Sequence, residues 1–105
     1  MPMPDIPAVT TIETTPGHVD VRLEEIPSSG YRWSIASVPE QVTFIADAFQ
    51  SASASTRAIG ASGAHVFTFR VDTVGEFDVD FVRKRAWETE PLERRRVRLV
   101  VRPGA

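Results

Sequence analysis

A chain of 105 residues with 42% hydrophobic residues is long enough for one domain with a packed core, and this composition excludes wholesale disorder. The lack of cysteine excludes disulfides, thiolate nucleophiles, zinc knuckles and iron–sulfur ligation. The net charge of −2 is unevenly distributed, because residues 83–102 carry eight basic side chains against three acidic ones and the remainder carries four against eleven. We expect a single domain over residues 1–105.

The N-terminal residues carry no recognisable targeting signal. They read MPMPDIPAV, without the basic start and apolar run of a signal peptide, and no stretch of the chain approaches membrane-spanning length. As the sequence stands we expect a cytoplasmic protein, or an extracellular or periplasmic one if a leader has been trimmed from it. Residues 1–7 are expected to form a flexible N-terminus.

Apolar and polar residues alternate along most of the chain, and no window shows a helical period. Such alternation is typical of strands with one buried and one wet face, and turn signals rich in Pro and Gly separate the alternating runs. Strands are predicted over residues 8–14, 18–25, 31–37, 42–49, 64–72, 76–83 and 94–102. About seven short strands predict an all-β fold, an immunoglobulin-like antiparallel β-sandwich.

The strand count also predicts where the connections lie. If successive strands alternate in direction, the connections after residues 25, 49 and 83 fall at the same end of the sandwich. These three connections contain the unusual residues of the chain, whereas the others are short and ordinary. Trp33 is in step with the apolar face of the third strand, where a sandwich needs a large central residue, so we assign it to the core.

The first of the three loops is small, stiff and polar. Proline fixes its own backbone angle, glycine permits a positive φ, and serine hydroxyls can bond nearby backbone. These properties suit insertion into a narrow cleft, because little entropy is lost on binding; a plain turn between strands is the other interpretation. The candidate binding residues are Pro27, Ser28, Ser29, Gly30 and Tyr31.

The second loop is rich in glycine but lacks the Lys and the strand-to-helix context of a phosphate-binding loop. Its glycines would let the backbone approach a partner closely, or even pair with an extended peptide. His65 is either a contact residue or a structural one, and no partner that would make it a catalytic base is visible. The candidate residues are Gly60, Ala61, Ser62, Gly63, Ala64 and His65.

The third loop contains a tryptophan that lies outside the alternating pattern. A Trp at a loop tip with a neighbouring Arg is typical of an interface anchor. The alternative is that this Trp folds back to cover the end of the core. The candidate residues are Arg85, Ala86 and Trp87.

The basic residues near the C-terminus allow two interpretations. Arginines alternate with Val97, Leu99 and Val101, which is typical of the wet face of an edge strand, where charge discourages aggregation. Nucleic-acid binding is the weaker interpretation, since the protein is acidic overall. Asp78 and Asp80 are expected to be solvated and to face these arginines.

Catalysis is not expected of this chain. It has no Cys, only two His and no Ser in a nucleophile-elbow context. Its acidic residues are assigned to outward strand positions, not to a metal-binding cluster. We therefore predict a protein that is not an enzyme and that needs no metal or cofactor.

Taken together, the three loops resemble those of the chagasin family of cysteine-peptidase inhibitors. The family's first motif, Asn-Pro-Thr-Thr-Gly-(Tyr/Phe)-x-Trp, is similar to residues 26–33, IPSSGYRW. Its second, Gly-x-Gly-Gly before a strand with alternating aromatics, is similar to Gly60–Gly63 followed by Phe67 and Phe69. Its third, Arg-Pro-Trp, is similar to Arg85–Trp87. Order, spacing and strand pattern agree from about residue 17 to 102.

The resemblance implies an immunoglobulin-like inhibitor that occludes papain-like cysteine peptidases without a cofactor. Ser28–Gly30 would enter the cleft over the catalytic Cys, with the hydroxyl of Ser29 or Ser28 near the Cys/His pair. Arg85 and Trp87 would pack on the wall beside the catalytic His, and Gly60–Ala64 would lie against the opposite side.

Three residues depart from the family motifs: Ile26 stands for Asn, Ser62 for Gly and Ala86 for Pro. Each change adds backbone freedom or removes a contact. A second function therefore stays open, in which the sandwich is a general protein-interaction module without peptidase inhibition. In either case we expect a monomer that binds a protein partner, not nucleic acid or membrane.

Overall fold

The computed structural model describes residues 8–51 and 63–104, so the expectation for residues 1–7 falls outside the described residues. Seven β-strands and a single 3₁₀ turn, at Pro27–Ser29, make up the described chain. The strands are β1 (Ala8–Thr14), β2 (Gly17–Glu25), β3 (Arg32–Ser37), β4 (Val42–Ser51), β5 (Gly63–Val71), β6 (Gly75–Lys84) and β7 (Glu93–Val101). The predicted strands are confirmed, with their ends shifted by at most two residues.

The alternating pattern becomes alternating burial in the folded strands. In β2, the apolar residues Val19, Val21 and Leu23 are buried and the polar residues between them are exposed. A strand turns successive side chains to opposite faces, so a period of two in polarity places one face of each strand on the core. β5 is mostly buried, because β2 and β4 flank it on both sides.

The strands form two sheets, and the fold class is confirmed as an all-β sandwich. One sheet has the order β1-β7-β6-β3 and the other the order β2-β5-β4. Their inner faces pack large side chains together, with the rings of Phe67 and Phe81 4.9 Å apart and those of Phe69 and Phe81 6.2 Å apart. Burying such a side chain stabilises the fold by on the order of 2 kcal/mol. Trp33 belongs to this core, as predicted, and is 2% exposed.

The sandwich differs from the predicted one in a single pairing. β1 pairs with β7 in parallel, from Ala8↔Arg95 to Thr14↔Val101, whereas the other pairings in the described chain are antiparallel. The prediction that the C-terminal strand is an edge strand is therefore wrong. β7 lies between β1 and β6, and its arginines on the outer face are adjacent to acidic residues of β6 instead of guarding a free edge.

Asp78 and Asp80 face these arginines, as expected. Arg98 Nε lies 2.9 Å from Asp78 Oδ1, and Arg96 Nε lies 2.8 Å from Asp80 Oδ1. The residues are directly opposite one another in the β6–β7 register, which is the arrangement in which unlike charges support a sheet.

The strand register shows which strand ends lie side by side. Glu25 at the end of β2 is paired with Gly63 at the start of β5, and Arg32 at the start of β3 is paired with Lys84 at the end of β6. Ser51 at the end of β4 is paired with the same Gly63. The strand ends that flank the connections after β2, β4 and β6 therefore lie at one end of the sandwich. Within residues 8–51 and 63–104, no helix is long and apolar enough to cross a membrane.

The Asp80–Arg96 ion pair predicts a pH-dependent contribution to stability. Hydrogen bonds from the Arg96 guanidinium lower the pKa of the Asp80 carboxyl, against a smaller opposing effect of burial. The pair therefore stabilises the fold above about pH 4, the ordinary range of an Asp, and this contribution is lost as the pH falls through the lowered pKa.

Asp80→Asn should therefore reduce the free energy of unfolding at pH 7 by less than about 1 kcal/mol, because the pair is partly exposed. Urea denaturation at pH 7 and at steps below pH 4 should show the difference from wild type shrinking toward zero in acid. A difference that is constant with pH would contradict the assignment.

Candidate functional site

The first loop is held in shape by the hydroxyl of one of its own serines. Ser29 Oγ donates a 2.6 Å hydrogen bond to the Ile26 carbonyl and accepts one of 3.2 Å from the Tyr31 amide. The Ser29 amide also donates to the Ile26 carbonyl, at 3.0 Å, and closes the 3₁₀ turn. The loop is thus braced although Ile26 replaces the Asn of the family motif. Ser28, at the exposed tip, makes no side-chain hydrogen bond with the described residues.

Gly30 turns the chain out of this loop with a φ of +80°. Side chains with a Cβ rarely adopt that conformation, so the position requires glycine. Tyr31 follows and is half-buried. The candidate residues Pro27, Ser28, Ser29, Gly30 and Tyr31 therefore form one connected turn.

A buried carboxylate joins the two ends of the first loop. Glu25, at the end of β2, is 1% exposed, and its Oε2 accepts a 3.0 Å hydrogen bond from the Trp33 amide at the start of β3. The Trp33 indole Nε1 donates in turn to the Glu24 carbonyl, at 2.8 Å. These two bonds fix the distance between the strands from which the loop projects.

The assignment of all acidic residues to outward positions missed Glu25. It continues the inward series of Val19, Val21 and Leu23 in β2, so its place in the period-two pattern was the signal that could have identified it. An acid at an inward position requires hydrogen-bonding partners, because burying an unpaired carboxylate is costly.

His65 provides the second partner of Glu25. Its Nδ1 lies 3.0 Å from Glu25 Oε2, its Nε2 lies 2.5 Å from Asp47 Oδ2 in β4, and its ring stacks on Phe67 with centroids 4.2 Å apart. His65 is 9% exposed. These contacts favour the interpretation of His65 as a structural residue. They connect the start of β5 to the base of the first loop.

The second loop is described only at its C-terminal end. Gly60, Ala61 and Ser62 lie outside the described residues, whereas Gly63 and Ala64 begin β5. A methyl group on Gly63 would collide with the Gln50 carbonyl oxygen and come within 2.5 Å of the Phe49 ring. Gly63 is therefore needed for the close approach of β4 and β5, independently of any partner.

The third loop is a tight turn with Trp87 at its tip. The Glu88 amide donates to the Arg85 carbonyl at 3.1 Å, and the Arg85 amide donates to Glu88 Oε1 at 3.0 Å. Ala86 and Trp87 occupy the two central positions, and Trp87 is 76% exposed. The alternative in which Trp87 folds back over the core is wrong.

The guanidinium of Arg85 connects the first and third loops. It lies 4.3 Å from the centroid of the Tyr31 ring and 5.8 Å from that of Trp87. Cation–π contacts of this kind orient an exposed aromatic ring and are worth about 0.5–1 kcal/mol at a surface. Arg85 and Trp87 are thus presented beside the braced first loop.

Two further arginines pack over the buried Trp33 ring, close to the bases of the first and third loops. The guanidinium carbons of Arg83 and Arg95 lie 5.5 Å and 4.9 Å from the ring centroid of Trp33. Glu93 bridges the two guanidinium groups at 2.8 Å and 2.7 Å. Arg83 and Arg95 therefore share one carboxylate, and both guanidinium groups are held over the Trp33 ring.

Among residues 8–51 and 63–104, no group of three or more His, Asp and Glu side chains is arranged to hold a metal ion. The polar groups at the loop end instead fix the positions of the loops.

These features define a class of protein: a β-sandwich that presents loops from one end, with an exposed tryptophan beside a braced turn. Over residues 16–101 the sequence matches the family described as chagasin family peptidase inhibitor I42. The chain belongs to the chagasin family of peptidase inhibitors, and the resemblance noted in its loop motifs is confirmed.

Several solved structures share this fold, including the three that follow. The cysteine protease inhibitor EhICP2 from Entamoeba histolytica is 22% identical, with a TM-score of 0.68 and coverage of 91% of this chain and 87% of that one. Amebosin, solved in solution, is 18% identical, with a TM-score of 0.63 and coverage of 91% and 99%. PbICP-C, solved in complex with falcipain-2, is 11% identical, with a TM-score of 0.60 and coverage of 97% and 95%. No curated protein sequence matches this chain significantly.

Removing the Glu25 carboxylate should destabilise the protein strongly. Glu25→Ala leaves the Trp33 amide and His65 without their buried acceptor, and we expect the free energy of unfolding to fall by about 3 kcal/mol. Chemical denaturation measures the loss. Glu24→Ala is the matched control, because that side chain is exposed and should change stability by less than about 0.5 kcal/mol.

Glu25→Gln keeps an oxygen acceptor for Trp33 and should recover part of the loss. Equal stabilities of Glu25→Ala and Glu24→Ala would show that the carboxylate does not brace the loop.

Proposed function

We propose that this protein inhibits papain-like cysteine peptidases by occluding the catalytic cleft with its loop end, reversibly and without catalysis of its own. The observation that carries this proposal is the exposure of Trp87 at the tip of a closed turn, beside a first loop braced at both ends. A partner surface would remove this large apolar ring from water, and tryptophan is a frequent anchor in interfaces. Family membership and the EhICP2 fold support a peptidase as that partner.

In this mechanism the first loop enters the catalytic cleft; we call its residues 27–31 the plug. Ser28 would lead into the cleft, because its hydroxyl is free, whereas the Ser29 hydroxyl is occupied by bonds to Ile26 and Tyr31. Ser28 rather than Ser29 would then reach the catalytic Cys and His. The 3₁₀ turn keeps the peptide bonds of the plug curled, so no carbonyl is extended for attack, and the loop is not cleaved.

Arg85 and Trp87 would pack on the wall of the cleft, and Gly60–Ala64 would lie against the opposite side. The loops are connected before binding by the Arg85–Tyr31 contact and by the Glu25–His65 hydrogen bond. Such preorganisation favours tight binding, because little conformational entropy remains to be lost.

The departures from the family motifs favour the second candidate, a general interaction module at the same loop end. An inhibition panel of papain and related peptidases separates the two functions. Inhibition in the nanomolar to micromolar range supports the proposal. Absence of inhibition of every member at high micromolar concentration would refute it and leave the interaction module.

Trp87→Ala should weaken inhibition at least tenfold, because it removes the exposed anchor without touching the core. The inhibition constant against papain measures the effect. Val74→Ala, which trims an exposed apolar residue in the connection between β5 and β6 at the other end of the sandwich, is the matched control and should leave the constant unchanged. Equal inhibition by the two variants would remove Trp87 from the interface.

Ala86→Pro should strengthen inhibition about two- to fivefold. Ala86 is the first central residue of the Arg85–Glu88 turn, a position that proline suits, and a proline there restricts the backbone of the unbound loop so that less entropy is lost on binding. The measurement is again the inhibition constant, accompanied by a denaturation curve. A weaker inhibitor with an unchanged denaturation midpoint would mean that the peptidase needs a flexible third loop.

A further inference from the structure

The outer face of the β1-β7-β6-β3 sheet has an open depression where it meets the first and third loops. It has a volume of about 260 Å³, and its lining includes Arg32, Ser34, Lys84, Arg85 and Trp87. We call these five residues the cationic notch. It lies beside the plug on the side where Trp87 projects, so a partner that covers Trp87 would also cover the notch.

The positive charges of the notch are not neutralised within the described chain. Arg32, Lys84 and Arg85 form no ion pair with any residue among 8–51 and 63–104. Lys84 Nζ donates to the Glu88 carbonyl at 3.2 Å, and Arg85 lies over the Tyr31 ring. The Glu88 carboxylate accepts a hydrogen bond from the Arg85 backbone amide, not from a side-chain cation of the notch.

The register makes this arrangement unfavourable in the free protein. Arg32 and Lys84 are directly opposite each other in the β3–β6 pair, where like charges destabilise a sheet. Further along β6, on the same outer face, Asp78 and Asp80 are each opposite an arginine that neutralises them. On its outer face the sheet therefore pairs unlike charges at Asp78–Arg98 and Asp80–Arg96, and like charges at Arg32–Lys84 beside the loops.

We propose that the cationic notch binds an aspartate or glutamate side chain on the rim of the target peptidase's cleft. The Arg32 and Lys84 cations and the Ser34 hydroxyl can all donate to a carboxylate, and the Trp87 ring provides an apolar wall for its methylene groups. This inference rests on the proposed function, and it adds a selectivity element: peptidases with an acidic rim at that point are preferred targets.

The test is a double variant, Arg32→Gln with Lys84→Gln, against papain-like peptidases with and without acidic residues on the rim. Arg70→Gln with Arg102→Gln is the control, because it removes the same charge at the other end of the sandwich. Inhibition constants and association rates are measured at ionic strengths from about 50 to 300 mM, a range over which screening weakens charge attraction.

The notch variant should inhibit acid-rimmed peptidases at least tenfold more weakly, mainly through slower association, and should lose the salt dependence seen with wild type. The control should change inhibition less than threefold. The notch variant should also unfold at an equal or higher midpoint than wild type, since a like-charge pair is removed. Neutralising the rim acid of the peptidase should abolish the difference between wild type and the notch variant.

The outcomes distinguish failure of the cationic notch from failure of the proposed peptidase inhibition. If wild type inhibits but the notch and control variants behave alike, the notch is not a binding site and the proposed function stands. If wild type inhibits no peptidase of the panel, the proposed function and the notch both fall.

Discussion

The loop end depends on the buried carboxylate of Glu25. A single oxygen, Oε2, accepts from the Trp33 amide in β3 and contacts His65 in β5, and His65 reaches Asp47 in β4. Four strands from both sheets are thereby connected at the point where two of the loops begin. A buried acid is tolerated only when its partners are in place, so these strands must adopt one arrangement or leave a carboxylate unpaired. That constraint fixes the base of the first loop and the start of β5 relative to each other.

Rigidity at the base is combined with exposure at the tips. Ser29 closes the first loop with its own hydroxyl, and Glu88 closes the third, so neither turn needs a partner to keep its shape. Ser28 and Trp87 project from these closed turns into solvent. The first and third loops thus combine fixed bases with exposed tips, an arrangement that limits the conformational entropy lost when a partner binds.

The charged side chains also differ between the body of the sheet and the region beside Trp87. Arg96 and Arg98 are paired with acids of β6, and Arg83 and Arg95 share Glu93 above Trp33, so these cations serve the fold. The cations next to Trp87 lack such partners and repel one another across β3 and β6. In the proposed complex the partner would supply the opposite charge, and complementary charges of this kind guide and select a binding partner.

The sequence by itself determined the strands, their inward faces and the grouping of three loops, because polarity with a period of two and turn residues are local signals. It also indicated the family through the loop motifs. Only the tertiary structure decided that β1 covers β7 in parallel, that Glu25 and His65 meet, and that Trp87 stays in solvent. Those outcomes depend on residues far apart in the chain, such as Glu25 and His65. A pattern that repeats every two residues specifies which way a side chain points, but not which side chain it will meet.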